Sequence, residues 1–178
     1  MRIVRGAPAV IITLFPYSVA FILYCIFSGF LMESVFMNSA FVCLAALFLF
    51  WIAGLICAVS VCVSGILRKR DAFGMIRTVM LIKVISIPAY IVIFIVGTLC
   101  MLTIFTFGIS IFLMLFDAMS IFLSGTVGVA AVKRAHDEKV ISVGEAVLHG
   151  ILQFLFCADV VSSLILFCKA KRVRAALK

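Results

Sequence analysis

The sequence predicts an all-α fold, a polytopic transmembrane helical bundle of five apolar segments, and three observations predict it. Of 178 residues, 67% are hydrophobic and only 12% are charged, whereas a soluble domain is about half apolar and roughly a quarter charged. The apolar residues are gathered into runs that reach or exceed the roughly 20 residues needed to cross a 30 Å hydrocarbon core. All fifteen Lys and Arg fall in clusters that flank those runs. A soluble globule of this length could not cover its surface with so few polar groups. A disordered tail and a disulfide-stapled module are excluded on the same grounds.

The elements follow in order, as one domain over residues 1–178. A first span covers about 9–32, with Pro16 as a kink. It is longer than the roughly 7–15 residues of a secretory h-region and has no small-residue cleavage site after it, so it reads as a retained signal anchor. The hinge from Glu33 to Asn38 carries no Lys or Arg, and a second span runs over 39–67. Arg68 to Lys83 mixes basic residues with Phe73, Ile76 and Met80, a composition suited to the headgroup level. Its basic part, 68–79, is the expected cytoplasmic segment.

Residues 84–132 contain a single charge, Asp117. As one helix they would extend about 73 Å, more than twice the hydrocarbon core, so they must fold into two spans. The two spans are placed at about 80–101 and 107–132, with the break near 102–108, where Thr103, Thr106 and Gly108 cluster. A polar link from Lys133 to Ser142 leads into Ser142-Val143-Gly144-Glu145, the pattern of a capping box. A fifth apolar segment, about 146–168, precedes a basic tail. It holds thirteen Val, Leu, Ile or Phe against Asp159, His149 and Gln153, a balance that leans toward a fifth spanning helix.

Lys and Arg accumulate on cytoplasmic loops. The N-terminus, 68–79 and 133–139 therefore face the cytoplasm of a cell membrane, and the Lys-free and Arg-free turns at 33–38 and 102–108 face outward. A spanning fifth segment leaves ten basic residues inside and five outside. A fifth segment that only dips into the membrane leaves all fifteen inside, and charge alone prefers that picture.

Two carboxylates lie within predicted spans, where a charge is costly and should face the bundle interior. On a helical wheel, Ser120, Ser124, Thr103, Thr106, Ser110 and Gly128 share the face of Asp117 within about 100°. Glu145, His149, Gln153, Asp159 and Ser163 fill an arc of about 120° on a continuous fifth helix. The expected candidate site is thus an intramembrane polar stripe of Asp117, Ser120, Ser124, Glu145, His149, Gln153 and Asp159, with the two Asp turned toward each other's helices. Lys83 is a possible counter-charge, but its expected position near an interface favours snorkelling. Small residues at Gly54/Ala58, Ser60/Ser64 and Ser120/Ser124/Gly128 allow close helix contact.

Catalytic signatures are missing. There is no G-x-S-x-G, H-E-x-x-H or phosphate-binding loop, and Phe116-Asp117 and Ala158-Asp159 lack the flanks of membrane aspartyl proteases. The seven cysteines form no C-x-x-C pair and read as small packing residues. No cofactor or metal is expected. The basic balance suits anionic lipid headgroups rather than nucleic acid. The leading expectation is a non-catalytic bundle or accessory subunit, with a membrane-protein partner or a second copy as its company. The alternative is a small transporter or channel component that uses the Asp117/Asp159 stripe for proton or cation passage.

Overall fold

A computed structural model describes residues 7–67, 71–102, 104 and 106–176. The basic residues Arg2, Arg5, Arg68, Lys69, Arg70 and Lys178, and Thr103 of the expected polar face, lie outside the described residues. Seven helices account for nearly all of the rest: α1 (Ala7–Ser28), α2 (Phe30–Phe36), α3 (Ala40–Leu67), α4 (Ala72–Met101), α5 (Phe107–Asp137), α6 (Val143–Leu152) and α7 (Ala158–Ala176). The all-helical bundle read from composition is the fold observed. Helices α1, α3, α4 and α5 are long and apolar enough to cross a membrane.

Helix α1 carries Pro16 inside it and ends earlier than expected, at Ser28. Gly29 adopts φ 56° and breaks the chain between α1 and the short α2, so 30–36 is helix where a hinge was expected from 33. Met37 and Asn38 both take left-handed backbone angles, and the Asn38 N–H donates to the Met32 carbonyl at 3.0 Å. That reversal sends α3 back along α1.

The expected headgroup-level segment is corrected from Ala72 onward. The Asp71 side chain accepts from the Gly74 N–H at 3.2 Å and caps α4, which then runs without interruption to Met101. Ala72, Met75, Ile76, Val79, Ile82 and Lys83 are buried, the spacing of one helical face. Arg77 stays exposed on the other side. The basic residues had suggested an interface, but the helical phase of the apolar ones was the stronger signal.

The turn expected near 102–108 is present between α4 and α5. Helix α5 continues past 132 to Asp137, its last turn held by Arg134 pairing with Glu138 at 2.7 Å and with Asp137 at 3.5 Å. The Ala72 N–H donates to Glu138 Oε1 at 3.0 Å, which joins the start of α4 to the end of α5.

The expectation of one continuous helix over 147–168 is overturned. The capping box is present, with Ser142 accepting from Glu145 N–H and Glu145 reaching back to Ser142 N–H, but α6 ends at Leu152. Residues 153–157 turn through Cys157 at φ 62°, and α7 returns antiparallel to α6. On a straight helix Glu145 and Lys169 would lie about 36 Å apart; in the hairpin they form an ion pair. Helix α6 is about 15 Å long, half the thickness of a hydrocarbon core.

Helix α4 packs against α1, α5 and α7, α3 packs on α1 and α5, and the hairpin sits against α4 and α5. Arg174 near the end of α7 stands over the Phe73 ring at 4.7 Å and 4.0 Å from Asp71. The start of α4, the end of α5, the start of α6 and the end of α7 therefore share one end of the bundle. Among the described residues every Lys and Arg except Lys83 belongs to that end, and Glu33 is the single charged residue of the opposite turns.

Candidate functional site, a polar centre at the hairpin tip

Lys83 lies eleven residues into α4, about 17 Å from its start, and its side chain is only 1% exposed. Its ammonium pairs with Asp159 Oδ2 at 2.9 Å, and it reaches the Gln153 carbonyl at 3.4 Å. Asp159 opens α7, is itself buried, and accepts from the Val160 N–H through Oδ1 at 2.8 Å. A buried pair of this kind needs its remaining hydrogen-bonding capacity filled to offset desolvation, and here the hairpin turn fills it.

Gln153 is wholly buried. Its amide nitrogen faces Ser162 Oγ at 3.3 Å and Ser163 Oγ at 3.4 Å. Ser163 Oγ donates to the Asp159 carbonyl at 2.8 Å, and Ser162 Oγ lies 2.8 Å from His149 Nδ1. Alongside, Tyr90 OH and Ser120 Oγ are 2.9 Å apart, and Ser124 Oγ donates to the Ile121 carbonyl at 3.2 Å. The tip is received by two glycines of α5. A Cβ on Gly128 would stand 2.7 Å from Gln153 Cδ, and one on Gly125 would stand 2.8 Å from the Phe154 ring and 3.0 Å from the Gln153 carbonyl oxygen. The small residues of α5 thus admit a chain turn.

Of the expected stripe, His149, Gln153 and Asp159 come together at the centre, with Ser120 and Ser124 on the adjoining face of α5. Glu145 is apart from them, at the mouth of the hairpin, where Lys169 holds its carboxyl down at about 2. The ion pair of the centre is Lys83–Asp159, and Asp117 is not a member of it. Asp117 lines a groove of about 160 Å³ with Gly97, Thr98 and Ser110; Asp159 borders a separate, apolar pocket of about 310 Å³ with Tyr90 and Phe156. Lys83 is the counter-charge that the sequence allows, and its expected place near an interface is corrected to the interior of α4's buried face. Its phase with Val79, Ile82 and Ser86 was the sequence signal that places it inside. Ser162 and Tyr90 carried no such signal.

The Glu145 pair sets a pH dependence. Its carboxyl is held below its ordinary 4.5, so the pairing contributes fully above that value and is lost as pH falls toward about 2. The melting temperature of the wild type is expected to exceed that of Glu145→Gln at about pH 6, with the gap closing near pH 2. A gap that is unchanged between these conditions would show that the pair does not fasten the hairpin.

Fold and site together define an all-helical membrane-type bundle with a buried ion pair at the tip of a helical hairpin. Among the described residues no group of three His, Cys, Asp or Glu is placed to hold a metal ion. The chain belongs to a family of unknown function, DUF6652, which matches residues 7–172. No curated protein and no solved structure matches it.

Proposed function

We propose that the protein is a non-catalytic integral membrane bundle, of the accessory-subunit kind, in which the polar centre fastens a re-entrant hairpin. One observation carries the reading: the polar groups at the tip are satisfied by one another, Lys83 by Asp159 and Gln153, and Gln153 by Ser162 and Ser163. Asp117 lines a different groove from the pocket that Asp159 borders and takes no part in the Lys83 pair. The orientation that fits the charge distribution puts the basic end in the cytoplasm. A hairpin that returns to its own side brings the tail to that end as well, where basic residues meet anionic lipid. Contacts with a membrane-protein partner or a second copy would use the apolar flanks; nucleic acid has no part in this reading.

A second reading, a small transport or channel component, is favoured by the helix break itself. Interrupted helices that meet charges at half-membrane depth are a feature of transporter sites. Reconstituted liposomes under imposed proton and potassium gradients separate the two. The proposal expects the leak of protein-free vesicles, and an impermeant thiol reagent reaching Asn38→Cys, in a cysteine-free background, from outside the cell. A flux that Asp159→Asn abolishes while the fold persists would replace the first reading with the second.

A further inference from the structure

Among the described residues, Asp117 carries a buried side-chain oxygen that the bundle leaves unsatisfied. Its Oδ1 is buried and has no hydrogen-bond partner. It lies ten residues into α5, about 15 Å from the helix start, in the groove between α4 and α5 that extends to Met101 at the end opposite the basic one. The groove walls are Ile93, Phe94, Leu113, Met114 and Met101, with Gly97 leaving room between them.

Among the described residues no cation inside the bundle is free to answer this carboxylate. Residues 7–67 and 84–132 contain no Lys or Arg, which covers α1, α2, α3, the rest of α4 and α5 as far as Lys133. Lys83 is spent on Asp159. The other side-chain oxygens of the groove are the Ser110 and Thr98 hydroxyls, whose protons go to the Gly97 carbonyl at 2.9 Å and the Phe94 carbonyl at 2.8 Å. A hard ion such as calcium takes about 6–8 oxygen ligands, more than this groove supplies. One carboxylate in an apolar groove suits a cation that carries its own apolar shell.

We propose that the α4–α5 groove ending at Asp117 binds a small organic monocation of the alkylammonium class, entering from the end opposite the basic one. The carboxylate supplies the charge and the apolar walls take the alkyl groups. The volume of about 160 Å³ limits the occupant to a compact head. This site is independent of whether the hairpin centre moves anything across the membrane.

The test is equilibrium binding of radiolabelled tetramethylammonium and tetraethylammonium to the full chain in nanodiscs of neutral lipid at pH 8. Saturable binding is expected, unaffected by an excess of sodium or potassium. Asp117→Asn should weaken it at least tenfold while leaving the melting temperature equal or higher, since a half-buried carboxylate with one unsatisfied oxygen loses its charge. Gly97→Phe should weaken it by filling the groove with the carboxylate intact. Absence of saturable binding in the wild type would overturn the proposal and mark Asp117 as a protonated, structural carboxyl. Binding that survives either substitution, or that sodium displaces, would overturn it too.

Discussion

Lys83→Met alone is expected to destabilise the bundle by about 3–5 kcal/mol, because it leaves the Asp159 carboxylate buried and unpaired. The double variant Lys83→Met/Asp159→Leu is expected to recover most of that loss, since well-packed apolar residues often replace a buried pair without cost. The pair is 2.9 Å apart, with side-chain exposures of 1% and 4%, so solvent screening is small. Melting of the two single variants and the double variant in one detergent gives the coupling directly. Additive losses would mean that the two charges do not depend on each other.

Gly128→Leu is expected to expel the hairpin tip from its seat. Even a bare Cβ at this position would overlap the Gln153 side chain, at 2.7 Å from Cδ and closer to Oε1. The Gln153 amide cannot swing away without giving up Ser162 and Ser163, and a retreat of the whole tip also loses its carbonyl contact with Lys83. Overpacking typically costs about 1–3 kcal/mol, and here it also strands buried polar groups. The readout is a cysteine at Ser162, which is buried in the seated hairpin. In a cysteine-free background a maleimide should modify Ser162→Cys only when Gly128→Leu is present. Equal protection in both chains would show that the tip holds without this glycine. Gly65→Ala makes the contrast: its Cβ would meet the flexible end of Met75, which can swing aside.

The parts of the fold that were legible are those whose cause is local. The turn between α4 and α5 follows from a run too long for one crossing, and the start of α6 from the spacing of Ser142 and Glu145. Over residues 68–83 two local signals compete. Arg68 to Arg77 suggested an interface, while Ala72, Met75, Ile76 and Val79 repeat at helical spacing from the Asp71 cap. Following the second signal to Ile82 would have carried Lys83 into the bundle. The candidate site was legible as a set of residue types on 145–163 and illegible as a geometry, because an arc drawn on a continuous helix has no meaning across a break.

By itself, the sequence determined the helical class, the four apolar helices of membrane length and the gathering of basic charge at the chain segments that form one end. Run length, hydropathy and capping act between near neighbours, so they can be read along the chain. The tertiary structure alone decided that 147–168 folds back, that Asp159 meets Lys83 and that Oδ1 of Asp117 is buried without a hydrogen-bond partner among the described residues. Mean hydropathy is the same for a straight helix and a hairpin of the same residues. The difference lies in contacts between residues 70 or more positions apart: Lys83 with Asp159 and with the Gln153 carbonyl. The seat at Gly125 and Gly128 on α5 adds the room for them, and that room exists only once the helices have packed.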